Sequence, residues 1–223
     1  GKPVHQYEPF FSALENTGHR FEFGVKAGIS PVLFYDPSER VAATLHPNNT
    51  YEKVVFDPWQ QTAHDVNDTV LDDPRIDADI AGITAPYFAN LQITEPGLRW
   101  ETWHAQRQTG ALGPEEQAAA AGAEAHARTP TTVHFDTLGR PFLTVARNKV
   151  VCQGHDLDGS AMDLQARIVL DIEGNQREVH DSLDRIVMHY TYAMLGNRIR
   201  QASMEAGARW ILNDDTGTAI RAW

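Results

Sequence analysis

The stretch Phe135-Asp136-Thr137-Leu138-Gly139-Arg140 decides how this chain folds. It places an aromatic residue before an Asp, leaves two free positions, and ends on Gly and a basic residue. An Asp at the first position of a type I turn accepts backbone N–H groups. A Gly three residues on takes the positive-φ position that forms a bulge. This is a common way to join two antiparallel strands. Variants of the unit recur. Leu170-Asp171-Ile172-Glu173-Gly174-Asn175 and Asn213-Asp214-Asp215-Thr216-Gly217-Thr218 keep both Asp and Gly. Tyr192-Ala193-Met194-Leu195-Gly196-Asn197 keeps Tyr and Gly and loses the Asp. Tyr35-Asp36-Pro37-Ser38-Glu39-Arg40 and Phe56-Asp57-Pro58-Trp59-Gln60 keep the aromatic-Asp pair and lose the Gly.

The spacing is regular: 21 residues from 35 to 56, 22 from 170 to 192 and 21 from 192 to 213. The step from 135 to 170 is 35, so that interval is either lengthened or hides an unmarked unit. A strand, a tight turn and a second strand occupy about 20 residues, so each repeat is a hairpin-sized increment of an antiparallel sheet. The intervening segments are strand-like, with β-branched and aliphatic residues in Phe142-Leu143-Thr144-Val145, Ile168-Val169-Leu170 and Ile186-Val187-Met188.

The repeats stop between residues 63 and 130, giving three segments: strands over 1–62, a loop and helical insertion over 63–130, and strands over 131–223. Residues 65–80 read as an acidic loop. Gly113-Pro114-Glu115-Glu116 opens an Ala-rich run with bases near its end, which predicts a helix over 114–127, and 98–108 is a candidate second helix.

The chain has 223 residues, a formal charge of −11 and 19 scattered basic residues, a balance that argues against nucleic acid as partner. No run reaches the roughly 18 apolar residues of a membrane span. The start, Gly1-Lys2-Pro3-Val4-His5-Gln6, lacks the layout of a signal peptide, and the chain reads as an excerpt of something longer. Cys152 is the single cysteine, so no internal disulfide can form.

The repeated units resemble the YD repeats of Rhs and teneurin-type proteins. Two blocks are more specifically similar to the Rhs-repeat region of Tc (insecticidal toxin complex) and SpvB-like proteins: Pro31-Val32-Leu33-Phe34-Tyr35-Asp36-Pro37 through Phe56-Asp57-Pro58-Trp59, and Met194-Leu195-Gly196-Asn197-Arg198 through Trp210-Ile211-Leu212-Asn213-Asp214. The resemblance implies a mostly β fold in which antiparallel hairpins form part of a curved, spiralling β-shell around a toxic polypeptide, with a small helical insertion. It implies a non-enzymatic structural role. The partners it implies are the rest of the same shell, its toxin-complex subunits and the enclosed polypeptide. It also implies synthesis in the bacterial cytoplasm and release with a toxin complex. The family's self-cleaving aspartates and variable toxic domain have no matching segment here.

Rival chemistries have weaker support. One Asp per turn does not gather the six to eight oxygens calcium needs. Ten histidines form no HExxH or other paired pattern, and no metal or cofactor is expected. Gly18, Gly24 and Gly28 fit no phosphate loop. His64-Asp65, His155-Asp156 and His180-Asp181 each resemble half of a triad, but neighbours on a strand point to opposite faces. Tyr87, Phe88, Trp100 and Trp103 could form a glycan- or protein-binding platform on the 81–128 insertion, although anchoring that insertion is the simpler role for large aromatics.

Overall fold

A computed structural model describes residues 2–5 and 30–223. Much of the first thirty residues of the expected 1–62 segment, with Gly18, Gly24 and Gly28, lies outside them. The described residues are mostly β, with twelve strands and three short helices among them, as the repeat pattern and the resemblance implied. Two compact units divide it: residues 1–55 with 63–128, and residues 56–62 with 129–223. The short hairpin segment 56–62 therefore groups with the later strands.

The first unit contains β1 (Val32–Tyr35), β2 (Val41–Leu45) and β3 (Tyr51–Phe56), antiparallel and in sequence order. Alternation along β1 buries Val32 and Phe34, which join Ala43, Leu45 and Tyr51 in one core. The insertion supplies the other half of that core. Ile80 and Phe88 are buried in it, and Ile83, Tyr87, Leu91 and Trp100 pack against it. At roughly 1.5–3 kcal/mol for each large apolar side chain removed from water, this contact accounts for the insertion's position over the strands.

The insertion differs from its sequence reading in three ways. Residues 65–80 are a run of tight turns, and they lead into a helix the sequence did not announce, α1 (Ala81–Thr94). It has no side-chain cap, no acid in its first turn, and Pro86 inside it. The usual start signals are absent, and burial of Phe88 and Thr84 holds it instead. The candidate helix over 98–108 is only α2 (Trp103–Gln108), started by Thr102, whose hydroxyl accepts from the Ala105 N–H. The helix expected over 114–127 is α3 (Pro114–Glu124). It stops early because Ala125–Arg128 form a turn, with Arg128 at φ 62° donating its N–H to the Asp68 carbonyl.

In the second unit the strands again follow sequence order: β4 (Gln60–His64), β5 (Thr131–Phe135), β6 (Pro141–Lys149), β7 (Ala161–Leu170), β8 (Gln176–His180), β9 (Ile186–Tyr192), β10 (Arg198–Ser203), β11 (Gly207–Asn213) and β12 (Ala219–Ala222). The division between the units falls within β4. The lengthened 135-to-170 interval is a single long hairpin, β6 and β7, closed by the loop 150–160 and containing no extra unit.

Register separates the faces of this sheet. Ile168, Val179 and Met188 form one cross-strand row, while Arg167, Glu178, His180 and His189 lie on the other face. Among the described residues of this unit only His180 is buried. The sheet is thus one layer thick, with half-exposed side chains on both faces. Most sheets bury one face against another element.

Candidate functional site: a rim of capped hairpins

Seven of the described connections share one backbone hydrogen-bonding scheme, and they include most of the sequence-derived motif. At Asp136 the carboxylate Oδ1 accepts the N–H groups of Leu138 (2.8 Å) and Arg140 (2.9 Å), and Oδ2 accepts from Arg140 Nε (2.7 Å). The Asp136 N–H donates to the Arg140 carbonyl, and the Gly139 N–H donates back to the Asp136 carbonyl. Gly139 sits at φ 73°. The register of β5 and β6 slips between His134 and Phe135, as a bulge beside Gly requires.

Asp36, Asp171 and Asp214 repeat this arrangement, with Arg40, Asn175 and Thr218 in the place of Arg140. Gly174 and Gly217 take the positive-φ position, at 91° and 83°. At Gly196 the same backbone pairing closes Ala193–Asn197 without a carboxylate, and at Asn49, φ 65°, it closes His46–Thr50. The His46 turn and the seventh were not read from the sequence. Asp181 caps Leu183 and Arg185, with Asp184 at φ 56° where Gly would stand.

The missing Gly of the first unit leaves the geometry intact, because Glu39 itself adopts φ 62°. That conformation costs a side-chain-bearing residue about 1–2 kcal/mol. Glu39→Gly is therefore expected to stabilise the first unit by about 0.5–1 kcal/mol after glycine's extra chain entropy is allowed for. A denaturation midpoint that stays put or falls would contradict this. The Asp57 connection differs: its N–H pairs with the Gln60 carbonyl, giving a shorter loop in which Asp57 caps only Trp59.

The aromatic residues brace the hairpins. The Tyr192 hydroxyl donates to the Gln176 carbonyl (3.0 Å), Tyr35 donates to the Pro3 carbonyl (2.7 Å), and the Phe135 N–H donates to the Trp59 carbonyl. Phe56 ends β3 where its hairpin begins. Neighbouring hairpins also touch laterally. Arg140 Nη1 lies 3.1 Å from where a Cβ on Gly174 would sit, and Asn197 Oδ1 lies 3.1 Å from the same point on Gly217.

Electrostatics follow from the caps. Asp36 and Asp136 are held below the ordinary carboxylate value first by the backbone N–H of Arg40 and of Arg140, and then by those guanidinium groups. At Asp181 the Arg185 side chain leads, and at Asp214 the Thr216 hydroxyl. For Asp171 desolvation opposes the shift, and the Asn175 amide and the turn N–H groups outweigh it. Each carboxylate is charged when it caps.

The histidines are used locally. The His180 ring meets Asp184 and Glu178 at 3.0 Å each, with its neighbour Asp181 occupied in the turn. His155 Nδ1 accepts from the Leu157 N–H, and His104 Nε2 lies 2.7 Å from Glu124. Asp65 caps Asn67 and Asp68 and does not orient His64. Among the described residues no three His, Cys, Asp or Glu side chains gather as a metal site. No described helix is long and apolar enough to cross a membrane.

The insertion's aromatics are engaged with the core. Phe34, Tyr87, Phe88 and Trp100 form a chain of edge-on contacts at 4.8–5.6 Å. Arg75 lies over Trp100 at 5.1 Å and Arg107 over Trp103 at 4.5 Å. A ring face already covered by a guanidinium is not open to a sugar.

No family model matches the chain, and no curated protein does. Solved structures do. A TcdB2-TccC3-Cdc42 crystal structure aligns with a TM-score of 0.58 at 17% identity. The Photorhabdus luminescens Tc holotoxin pore, carrying a TccC3 mutation, aligns at 0.58 and 16%, and a TcdB2-TccC3-TEV crystal structure at 0.59 and 16%. Each match covers 87% of this chain and 7% of the other, so the chain spans about 7% of the length of the proteins it resembles. A ladder of capped hairpins with a small helical insertion is thus a Tc-toxin-related fold.

Proposed function

We propose that this chain is a wall segment of a YD-repeat (Rhs-type) shell that encloses a toxic polypeptide within a bacterial toxin complex. The observation that carries this reading is the second unit's sheet. It repeats one capped hairpin yet leaves both faces half exposed, a form suited to separating an interior from an exterior rather than to closing over its own core.

The mechanism is topological. Backbone hydrogen bonds run from strand to strand, and the carboxylate caps satisfy the turn N–H groups, so the wall presents few open donors to a guest or a protease. The wall has no chemistry of its own, and its cofactor complement is nil. Its partners are the remaining shell, the other toxin-complex subunits and the enclosed polypeptide. It is made in the bacterial cytoplasm and released with the complex.

Limited proteolysis of the intact gene product, purified from its native source, tests this. The expected result is an associated polypeptide that resists trypsin until the β-structure is unfolded, then is cut at a rate at least tenfold higher. If no such polypeptide accompanies the intact product, or if it is digested equally fast beforehand, the shell reading fails.

A further inference from the structure

Every described arginine up to Arg185, except Arg177, pairs with a carboxylate at 3.4 Å or less. Beyond Arg185 the pattern changes. Strands β9 to β12 carry four arginines, Arg198, Arg200, Arg209 and Arg221, and no acid. Among the described residues none of the four has an ion pair. Three lie over rings instead: Arg198 over Tyr190 at 5.3 Å, Arg200 over Trp210 at 5.4 Å and Arg221 over Trp223 at 5.9 Å. The acids of these hairpins, Glu205, Asp214 and Asp215, sit in the connections.

Register puts two of the arginines on one face. Arg200 stands opposite Trp210, Leu212 stands opposite Arg221, and Trp210 and Trp223 exchange both backbone hydrogen bonds. Opposite residues share a face, as do residues two apart on a strand. Arg200, Trp210, Leu212, Arg221 and Trp223 therefore form one patch, in which the two tryptophans and the leucine are 46%, 62% and 50% exposed. Arg209 and Tyr190 both stand opposite Gln201, so Arg209 and the Arg198–Tyr190 pair belong to the other face.

We propose that this patch docks an extended acidic segment of a partner polypeptide, with carboxylates at positions i and i+4 and an apolar residue at i+2. Three features select that occupant. The first is charge: a guanidinium resting on an indole is held in place by the ring and keeps its N–H edge free for a carboxylate. The second is spacing. Arg200 and Arg221 lie two strands and two residues apart, about 12 Å between Cα atoms, and four residues of extended chain cover about 13 Å. The third is the exposed surface of Trp210, Trp223 and Leu212 between them, which meets the residue at i+2 because it points the same way as the two acids. A nucleic acid fits less well, since two cations on a chain of net charge −11 do not offset its repulsion of a phosphate backbone.

Fluorescence anisotropy tests this, with a fluorescein-labelled peptide repeating Glu-Ser-Leu-Ser titrated with the 223-residue chain. A Gln-Ser-Leu-Ser peptide removes the carboxylates, Arg200→Gln/Arg221→Gln removes their partners, and Arg198→Gln/Arg209→Gln removes the same charge from the other face. Circular dichroism checks each fold, and the two peptides on the parent decide the question if a variant unfolds. The expected result is binding of the Glu peptide that tightens as salt falls. It weakens about tenfold or more with the Gln peptide or with Arg200→Gln/Arg221→Gln, and by less than about twofold with Arg198→Gln/Arg209→Gln. A parent that does not bind the Glu peptide, or binds both peptides equally, overturns the proposal. So do equal losses in the two double variants, or tighter binding of a single-stranded DNA oligonucleotide than of the Glu peptide.

Discussion

Replacing Lys53 with Met lowers the stability of the first unit by about 3–5 kcal/mol, the range for removing one partner of a buried ion pair. Lys53 Nζ lies 2.8 Å from Asp77 and 2.6 Å from Asp79, with the Lys53 and Asp77 side chains only 6% and 5% exposed. The Tyr51 hydroxyl donates to Asp77 at 2.6 Å, so the substitution leaves a buried carboxylate with only that partner among these groups. Because β3 contributes Lys53 and the insertion contributes both acids, the loss falls on the contact that seats the helices over the strands. Lys53→Met with Asp77→Leu should recover most of it, since an apolar pair of similar volume is often neutral. Equilibrium denaturation followed by Trp100 and Trp103 fluorescence measures both. A single variant within 1 kcal/mol of the parent would show the pair to be solvated.

The same pair sets a pH window. Burial alone would raise Asp77, but hydrogen bonds from Lys53 and Tyr51 outweigh it and hold the carboxyl below its ordinary value of 3.8. Burial alone would lower Lys53, and Asp77 and Asp79 outweigh that, keeping it above 10.5. A depressed acid contributes stability that is present above its unfolded pKa and lost as pH falls through the folded one. A raised base contributes below its unfolded pKa and loses it as pH rises through the folded one. The pair is thus at full strength between about pH 4 and pH 10. Tyr51 is raised by burial first and by the Asp77 carboxylate next, so its hydroxyl stays protonated throughout that window.

Gly174→Val is expected to cost the second unit about 2–3 kcal/mol. A β-branched residue at φ 91° is strained by about 1–3 kcal/mol on its own, and its Cβ also meets Arg140 Nη1. Gly139→Val isolates the backbone share, since nothing lies within 4 Å of a Cβ there. Adding Arg140→Ala should relieve part of the Gly174→Val penalty and none of the backbone share at Gly139. Equal penalties at the two glycines, with no coupling to Arg140, would show that adjacent hairpins do not brace each other.

The hairpins were legible where the chemistry is local. Asp136, Asp171 and Asp214 cap turns that can be read from four or five consecutive letters, because carboxylate and N–H belong to the same loop. The Asp181 turn escaped that reading because Asp184 replaces the marker Gly. Its signal was available in Asp181 and Arg185, which stand four apart like Asp36 with Arg40 and Asp136 with Arg140. The turns at His46–Thr50 and Ser203–Gly207 carry no Asp at the first position, so the sequence reading caught every second turn and a period twice the true turn spacing. Helix α1 had no local mark at all. Gly82 and Pro86 interrupt its pattern and its ends are uncapped, so tertiary burial alone selects it.

By itself the sequence determined the hairpin ladder, since type I turns with bulged glycines are closed by groups a few residues apart and need no distant partner. It determined as well that the stretch around Pro114 is helical, from proline and acids at its start. Only the tertiary structure decided that Lys53 reaches two acids more than twenty residues away, that Arg140 rests on the next hairpin's Gly174, and that the first unit has a core while the second remains a single layer. Those depend on which surfaces meet once the strands are laid side by side, and burial of that kind leaves no mark in the spacing of residues along the chain.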